Sequence, residues 1–162
     1  MSMNYKKLYK LIDLFGWMMV IFMFSHQPHS GDVTHHIIED LFPVLNGSIT
    51  ADILNFIVRK SAHFMEYFIL TFLFYSFLSE YFLYKKWQYF FSVLFCFIYA
   101  LSDELHQAFV PGRTASIRDC FIDLAGGVFF IIICLLFYNF NNKKSYVKGK
   151  KIRVKKYVSM NK

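Results

Sequence analysis

Residues 100–127 contain most of the side chains in this sequence that could carry out chemistry, and apolar runs lie on both sides of them. The ionisable and amide groups of this stretch are Asp103, Glu104, His106, Gln107, Arg113, Arg118, Asp119 and Asp123. Carboxylates can orient cations or hydrogen-bond sugars and amines, and arginine can grip a phosphate or carboxylate. Within a membrane, such groups must face water, a partner or a binding site, because a charge in hydrocarbon is costly.

A second polar group lies at the start of the second apolar segment, at Lys60, His63, Glu66 and Tyr67. Three of these residues follow helical spacing i, i+3, i+7, which predicts that they share one face of a helix. A histidine beside a carboxylate can act as a general base near neutral pH. His63 with Glu66 is therefore a candidate catalytic pair.

The first stretch shows the same helical spacing at two places. Asp103 and Gln107 are four residues apart, as are Asp119 and Asp123. A helical bundle could point all these faces at one pocket. We expect Glu66 or Asp103 to lie within ion-pair reach of Arg113 or Lys60 in such a pocket.

Structural explanations compete for several of these residues. Arg59 and Lys60 could extend to the lipid headgroups, and His63 with Glu66 could be an ordinary surface pair on a helix. Asp119 could be the N-cap of the last helix. The histidines share no metal-binding spacing, and the three cysteines form no C-x-x-C pair, so the sequence predicts no metal site or disulfide framework.

The composition indicates the kind of scaffold that positions these residues. The chain has 162 residues, of which 56% are hydrophobic and 21% aromatic, yet its net charge is +7. A soluble domain has roughly 45–50% apolar residues, with its charges spread more evenly. We therefore predict a small integral membrane protein with basic flanks, and no nucleic-acid partner or cofactor.

Four apolar segments are long enough to be membrane helices. They cover residues 8–25, 61–82, 87–101 and 121–140, with the third extending to 107 and a break at Pro111-Gly112. Short helices at 33–41 and 51–58 are expected at the outer interface, the second capped by Ser48 or Thr50. The predicted fold is all-α, a four-helix transmembrane bundle followed by a basic cytoplasmic tail from residue 143 to 162.

The distribution of basic residues predicts the orientation of this bundle. Of 18 lysines and arginines, 14 lie in the N-terminus, the Lys85-Lys86 loop and the tail. The other four are Arg59, Lys60, Arg113 and Arg118. Basic residues favour the cytoplasmic side. We therefore expect cytoplasmic termini in a multi-pass protein of the bacterial cell membrane, with the polar residues gathered at the outer face.

Four sequence pieces resemble those of the VanZ-like membrane proteins. They read S-H-Q-P at 25–28, R-K-S-A-H-F-x-E-Y at 59–67, Y-A-L-S-D-E-L-H-Q-x-F-V-P-G-R at 99–113, and D-C-F-I-D-L-A-G-G at 119–127. The resemblance implies a VanZ-like transmembrane domain over residues 1–142 and a role in the bacterial cell envelope, with some members linked to teicoplanin-type glycopeptide resistance. The family usually has Asn at position 123, so Asp123 adds a negative charge here.

Two functions are compatible with these residues, and both are favoured over a scaffold whose polar cluster only holds four helices together, because buried ion pairs add little net stability. The first is binding or modification of an amphiphilic or lipid-linked envelope molecule, such as a cell-wall precursor or a glycopeptide, in an outer-face pocket. Its ligand-binding residues would be Lys60, Tyr67, Glu104, Gln107, Arg113, Asp119 and Asp123. The alternative is a membrane hydrolase or transferase, with His63 and Glu66 or Asp103 as the general base and Arg113 stabilising negative charge.

Overall fold

The computed structural model describes residues 5–28, 30–45, 48–113 and 115–160, with only the backbone described beyond Asn141. Within these ranges the chain is all-helical, as the sequence predicts. The elements are α1 (Tyr5–Ser25), α2 (Ser30–Leu41), a 3₁₀ turn (Pro43–Leu45), α3 (Ile49–Leu78), α4 (Lys85–Gln107) and α5 (Ile117–Met160). By length and composition, three described segments could cross a membrane: α1, α3 and residues Ile117–Asn141 of α5.

The first of two compact units extends to Phe130, and its core forms where α1 and α4 pack against α3. Fully or nearly fully buried apolar side chains of these helices include Ile21, Leu70 and Cys96. Two side-chain hydrogen bonds join the helices: Trp17 Nε1 donates to the Glu66 carbonyl at 3.0 Å, and Tyr99 Oη donates to the Met18 carbonyl at 2.6 Å. The core thus places α1 against the polar part of α3.

Backbone contact between α3 and α5 occurs at Gly126. A Cβ atom added there would lie 2.1 Å from the carbonyl oxygen of Phe64, and one added at Gly127 would lie 2.5 Å from Thr71 Oγ1. Only glycine allows this separation, since any side chain would overlap the facing helix. The predicted close approach at these two glycines is confirmed, and it brings Asp123 beside the polar face of α3.

The start of α3 corrects one prediction. Residues 51–58 do not form a separate interfacial helix, because α3 runs without a break from Ile49 to Leu78. No proline or glycine follows Val58 to interrupt it. The predicted cap is confirmed at Ser48, whose Oγ accepts a hydrogen bond from the Ala51 N–H at 3.3 Å. Arg59, Lys60 and His63 are therefore all carried by one rigid helix.

The second unit is the continuation of α5 from Ile131. Ile133, Leu136, Phe137 and Phe140 follow helical spacing and line an open apolar groove. The backbone remains helical to Met160. Side chains of the predicted tail, residues 143–162, lie outside the described part of the chain, as do the last two residues entirely.

Candidate functional site

A cavity of about 300 Å³ opens between α1, α2, α3 and the loop that follows α4. Its lining residues are Phe24, Gln27, Val33, Thr34, Arg59, Ala62, His63, Glu66 and Arg113. Four segments that are distant in sequence therefore meet at one opening. Three of the predicted site residues, His63, Glu66 and Arg113, line it directly.

The loop between α4 and α5 holds Arg113 in the cavity wall. Gly112 has φ of 76°, a left-handed conformation that glycine adopts without strain, and the Arg113 N–H donates to the Val110 carbonyl at 3.1 Å. The guanidinium donates to the Gln27 carbonyl at 3.2 Å and also to the Phe24 carbonyl. These two bonds fasten the end of α1 to the loop and leave the remaining guanidinium nitrogen for another acceptor.

A second guanidinium, that of Arg59, lies near the first. Burial and then the neighbouring charge of Arg59 lower the pKa of Arg113, while nearby carboxylates, Asp103 foremost, oppose this. Within the described ranges, Arg59 has no hydrogen bond or ion pair. Two like charges therefore line this wall of the cavity with no protein anion bonded to either, an arrangement that suits a bound anion.

His63 connects the cavity to the buried Asp123. Its Nδ1 lies 3.5 Å from Glu66 Oε2 and 3.9 Å from Asp123 Oδ1. The side chain of Asp123 is only 1% exposed, and neither of its oxygens has a hydrogen-bond partner among the residues that the structure describes. A carboxylate in this position must be matched by a proton or a cation, since a lone buried charge is strongly unfavourable.

Other predicted site residues lie behind the cavity wall and do not line it. Gln107 donates to Asp103 Oδ2 at 2.9 Å, and the Ser116 N–H donates to Glu104 Oε2 at 2.7 Å. The side chains of Asp103, Glu104 and Gln107 are buried. Tyr67 is buried too, with 0% exposed, and its hydroxyl has no hydrogen-bond partner in the described ranges. They form a polar layer between α3, α4 and α5.

The expected ion pairs of Glu66 or Asp103 with Arg113 or Lys60 are wrong. All four side chains are described, and Lys60 instead forms an ion pair with Asp119. Lys60 lines a separate, largely apolar groove on the other face of α3, together with Phe64 and Ile122. Arg59, one residue earlier, lines the cavity, and the rotation of about 100° per residue on a helix turns Lys60 away from it.

The N-cap explanation for Asp119 is also wrong. The helix α5 begins at Ile117, so Asp119 belongs to its first turn. Ser116 precedes the helix, and its Oγ accepts a hydrogen bond from the Arg118 N–H at 3.2 Å. A carboxylate in the first turn is favoured by the helix dipole, and this one also neutralises Lys60. Arg118 itself is exposed.

Sequence reasoning missed several residues of the cavity. Arg59 has a plain explanation as a headgroup contact, yet it lines the wall, and the α2 residues Val33 and Thr34 close the opposite side. The ends of α1 and α4 also meet through histidines: His26 Nδ1 and His106 Nε2 are 3.2 Å apart, with their rings stacked. The S-H-Q-P piece, which contains His26 and Gln27, was the sequence signal that could have indicated a role for the end of α1 in this site.

The described part of the chain contains no group of three or more His, Cys, Asp or Glu side chains arranged to hold a metal ion. What the cavity offers chemically is a pair of guanidinium groups, one histidine and one carboxylate at a single opening. Such a set can bind a charged or strongly polar molecule.

Comparison with known proteins agrees with the sequence pieces noted above. The VanZ/LLP1 family model matches residues 11–138, which include α1 to α4 and the part of α5 that carries Asp119 and Asp123. No curated protein and no solved structure gives a significant match. Since the matched region covers most of the 162 residues, this membrane-type helical chain belongs to the VanZ/LLP1 family.

Proposed function

We propose that this protein binds an amphiphilic or lipid-linked molecule of the cell envelope in the cavity beside α3. The molecule's anionic group lies between Arg59 and Arg113, and its apolar part remains in the bilayer. The observation that carries the proposal is the pair of neighbouring guanidinium groups, of which Arg59 has no bonded protein partner among the described residues. Arg113 matches a phosphate or carboxylate through its planar fork.

The surrounding surface suits an amphiphile. Phe24 and Val33 line the cavity and are 51% and 59% exposed, so an apolar chain could leave the cavity over them. Large apolar side chains are exposed in this way along all the membrane-type helices, which is the expected surface of a protein in lipid.

The topology we propose has four spans, with α4 as the third, and both termini in the cytoplasm. The support is the concentration of 14 basic residues on one side against four on the other. The cavity then opens at the outer face, α2 lies at the outer interface, and the basic tail contacts anionic lipid of the inner leaflet. Binding at the outer face would also allow a contribution to teicoplanin-type glycopeptide resistance.

Cysteine labelling in whole cells tests this topology. Val44 and Leu83 are 96% and 95% exposed and lie in different connections between helices. In a variant lacking Cys96, Cys120 and Cys134, an impermeant thiol reagent should label Val44→Cys and leave Leu83→Cys unlabelled until the cells are opened. The reverse pattern would place the cavity on the cytoplasmic side.

Native mass spectrometry of the purified chain tests the binding function. Wild-type protein should retain an anionic amphiphile, and Arg59→Gln should lose most of it. Arg118→Gln is the matched control, because Arg118 is exposed and does not line the cavity. Equal retention by both variants would rule out the guanidinium pair as the binding site.

A membrane hydrolase or transferase is the second candidate function. The observation that favours it is the position of His63, which lines the cavity with its Nδ1 3.5 Å from Glu66 Oε2. A carboxylate at one ring nitrogen leaves the other able to accept a proton, and Arg113 is placed to stabilise negative charge. A retained amphiphile that is chemically converted by wild type but not by His63→Gln would identify an enzyme; unchanged ligand would identify a binder.

A further inference from the structure

The inner side of the cavity has more carboxylates than cations to match them. Four carboxylates, Glu66, Asp103, Glu104 and Asp123, are buried or nearly so. Among the described residues, the hydrogen-bond donors to Asp103 and Glu104 are neutral: the Gln107 amide and the Ser116 N–H. Even if both cavity guanidinium groups are counted, the fixed positive charges are fewer than the carboxylates.

The nearest lysine does not correct this imbalance. The ammonium group of Lys60 is bonded to Asp119, which is a fifth carboxylate, and both residues are about one-quarter exposed. His63 is the remaining basic group, and its Nδ1 lies at 3.5 Å from Glu66 and 3.9 Å from Asp123, too far for a good hydrogen bond to either. One imidazole cannot neutralise two carboxylates.

Hydrogen bonding gives a second and independent sign of a missing partner. Within the described part of the chain, both oxygens of Asp123 and the hydroxyl of Tyr67 have no hydrogen-bond partner, although these residues are 1% and 0% exposed. His63 Nδ1 is likewise without a hydrogen bond, and it faces the same space from the cavity side. Buried polar atoms are nearly always satisfied in a complete structure, so several orphans together indicate a group that the protein alone does not supply.

The two kinds of charge are separated along α3. Arg59 and Glu66 both line the cavity and are seven residues apart, which places their Cα atoms about 10 Å apart along the helix axis. Arg113 also lines the cavity, and its guanidinium lies close enough to Glu66 for the two charges to interact. A ligand that satisfies both ends therefore carries an anion and, a few bonds away, a cation.

We propose that the ligand's polar end is zwitterionic: a phosphate or carboxylate that Arg59 and Arg113 bind, linked to a primary ammonium that Glu66 binds beside His63. The inference rests on the proposed function, whose anion site it extends, and it narrows the ligand class to amine-bearing amphiphiles of the phosphoethanolamine type. An ammonium at Glu66 neutralises that carboxylate, so the proton on His63 Nδ1, which bonds neither carboxylate here, is available to Asp123 as a donor. No covalent step is required.

The test compares two short-chain lipids on the purified full-length protein in detergent. Dihexanoyl-phosphatidylethanolamine carries phosphate and ammonium, and its N-acetyl derivative keeps the phosphate but has no cation. Titration calorimetry should give a Kd for dihexanoyl-phosphatidylethanolamine that is at least about tenfold lower than the Kd for the N-acetyl derivative, a difference of about 1.4 kcal/mol in binding free energy. Glu66→Gln should abolish this preference, mainly by weakening the binding of the amine-bearing lipid. Asp13→Asn should preserve the preference, because Asp13 is exposed and lies outside the cavity.

Each other outcome has a definite meaning. Equal affinity of wild type for the two lipids overturns the zwitterion inference; if Arg59→Gln still weakens both, the proposed anion site stands. If neither lipid binds, and Arg59→Gln retains as much co-purified amphiphile as wild type does, the proposed function is overturned as well. A preference that survives Glu66→Gln places the ammonium elsewhere and also overturns the inference. Water-soluble O-phosphoethanolamine shows the source: comparable binding indicates a free headgroup, and binding of the lipid alone indicates a membrane ligand.

Discussion

The two ends of the helical unit handle their charges differently. At the end that joins α3 to α4, Glu80 Oε1 forms ion pairs with Lys10 Nζ at 2.6 Å and with Lys6 Nζ at 3.1 Å. Lys10 Nζ also donates a hydrogen bond to the Ser76 carbonyl at 2.8 Å. At the cavity end, Arg59 has no bonded partner within the described ranges, and the oxygens of Asp123 have none either.

This difference separates a structural ion pair from a binding site. Charged residues with a structural role form ion pairs within the chain, as Glu80 does, because an unpaired charge lowers stability. Charged residues that bind a ligand remain incompletely paired in the ligand-free protein. Two clusters with similar residue types are therefore predicted to respond differently to the same kind of substitution.

The largest expected effect is a loss of stability on substitution of Gly126, where α3 and α5 are in backbone contact. Gly126→Ala places a Cβ 2.1 Å from the Phe64 carbonyl oxygen, so α3 and α5 must move apart. We expect a loss of about 3 kcal/mol in unfolding free energy, at the upper end for overpacking. Thermal unfolding in detergent measures it.

The matched control is Gly16→Ala, where an added Cβ meets nothing within 4 Å. It should be neutral or stabilising by up to about 1 kcal/mol, because alanine is the better helix former. Similar losses in the two variants would show that the helices do not touch at Gly126.

The second-largest expected effect is a loss of ligand binding at the cavity end. Arg113→Lys keeps the charge but loses the planar fork and the bonds to the Phe24 and Gln27 carbonyls. Binding of dihexanoyl-phosphatidylglycerol, an anionic lipid, should weaken by about 10- to 100-fold, as expected for a lost charged hydrogen bond. Arg118→Lys is the control and should bind as wild type does; equal weakening in both variants would contradict the site.

A smaller effect of opposite sign is expected at Asp123. Asp123→Asn removes an unmatched buried charge and adds an amide that can donate to a neighbouring acceptor, so the ligand-free protein should gain about 1 kcal/mol in stability. The corresponding change at the matched end, Glu80→Gln, should instead lower the melting temperature. If Asp123→Asn destabilises the ligand-free protein, Asp123 already has a partner and the contrast between the ends fails.

The smallest effect is the pH dependence of the Glu80 pair. Hydrogen bonds from Lys10 and then Lys6 hold the pKa of Glu80 below its ordinary value of 4.5. A carboxyl whose folded pKa is depressed contributes stability above its unfolded pKa and loses it as the pH falls through the folded value. The melting-temperature difference between wild type and Glu80→Gln should therefore be constant from pH 7 to about 5, start to shrink near the ordinary pKa, and be lost once the pH is below the folded value. A difference that does not shrink between pH 5 and pH 2 would show that the charge is not its cause.

Local features were predictable because they depend on neighbouring residues. The apolar runs predicted the helices, Pro111-Gly112 marked the end of α4, and Ser48 was recognised as a cap. Gly126 and Gly127 predicted a close helix approach, since small adjacent residues have few other uses in an apolar segment. Recognition of the family from four short pieces also needed no coordinates, and the family match confirms it.

The partners of the charged residues were not predictable in the same way. Helical spacing put Lys60 and His63 on a common face, but the structure turns Lys60 to Asp119 and His63 to the cavity. It also makes Arg59 part of the wall and brings Gln27 to Arg113 across 86 residues of sequence.

The sequence by itself determined which residues form helices and which charged groups the membrane cannot tolerate unmatched, because hydrophobicity and backbone preference are properties of short segments. Only the tertiary structure decided which cation meets which carboxylate. An ion pair requires atoms within about 4 Å, and that distance depends on the rotation and spacing of whole helices. Here the rotation of α3 against α5, set by the contact of Gly126 with Phe64, leaves Asp123 buried without a hydrogen-bond partner among the described residues.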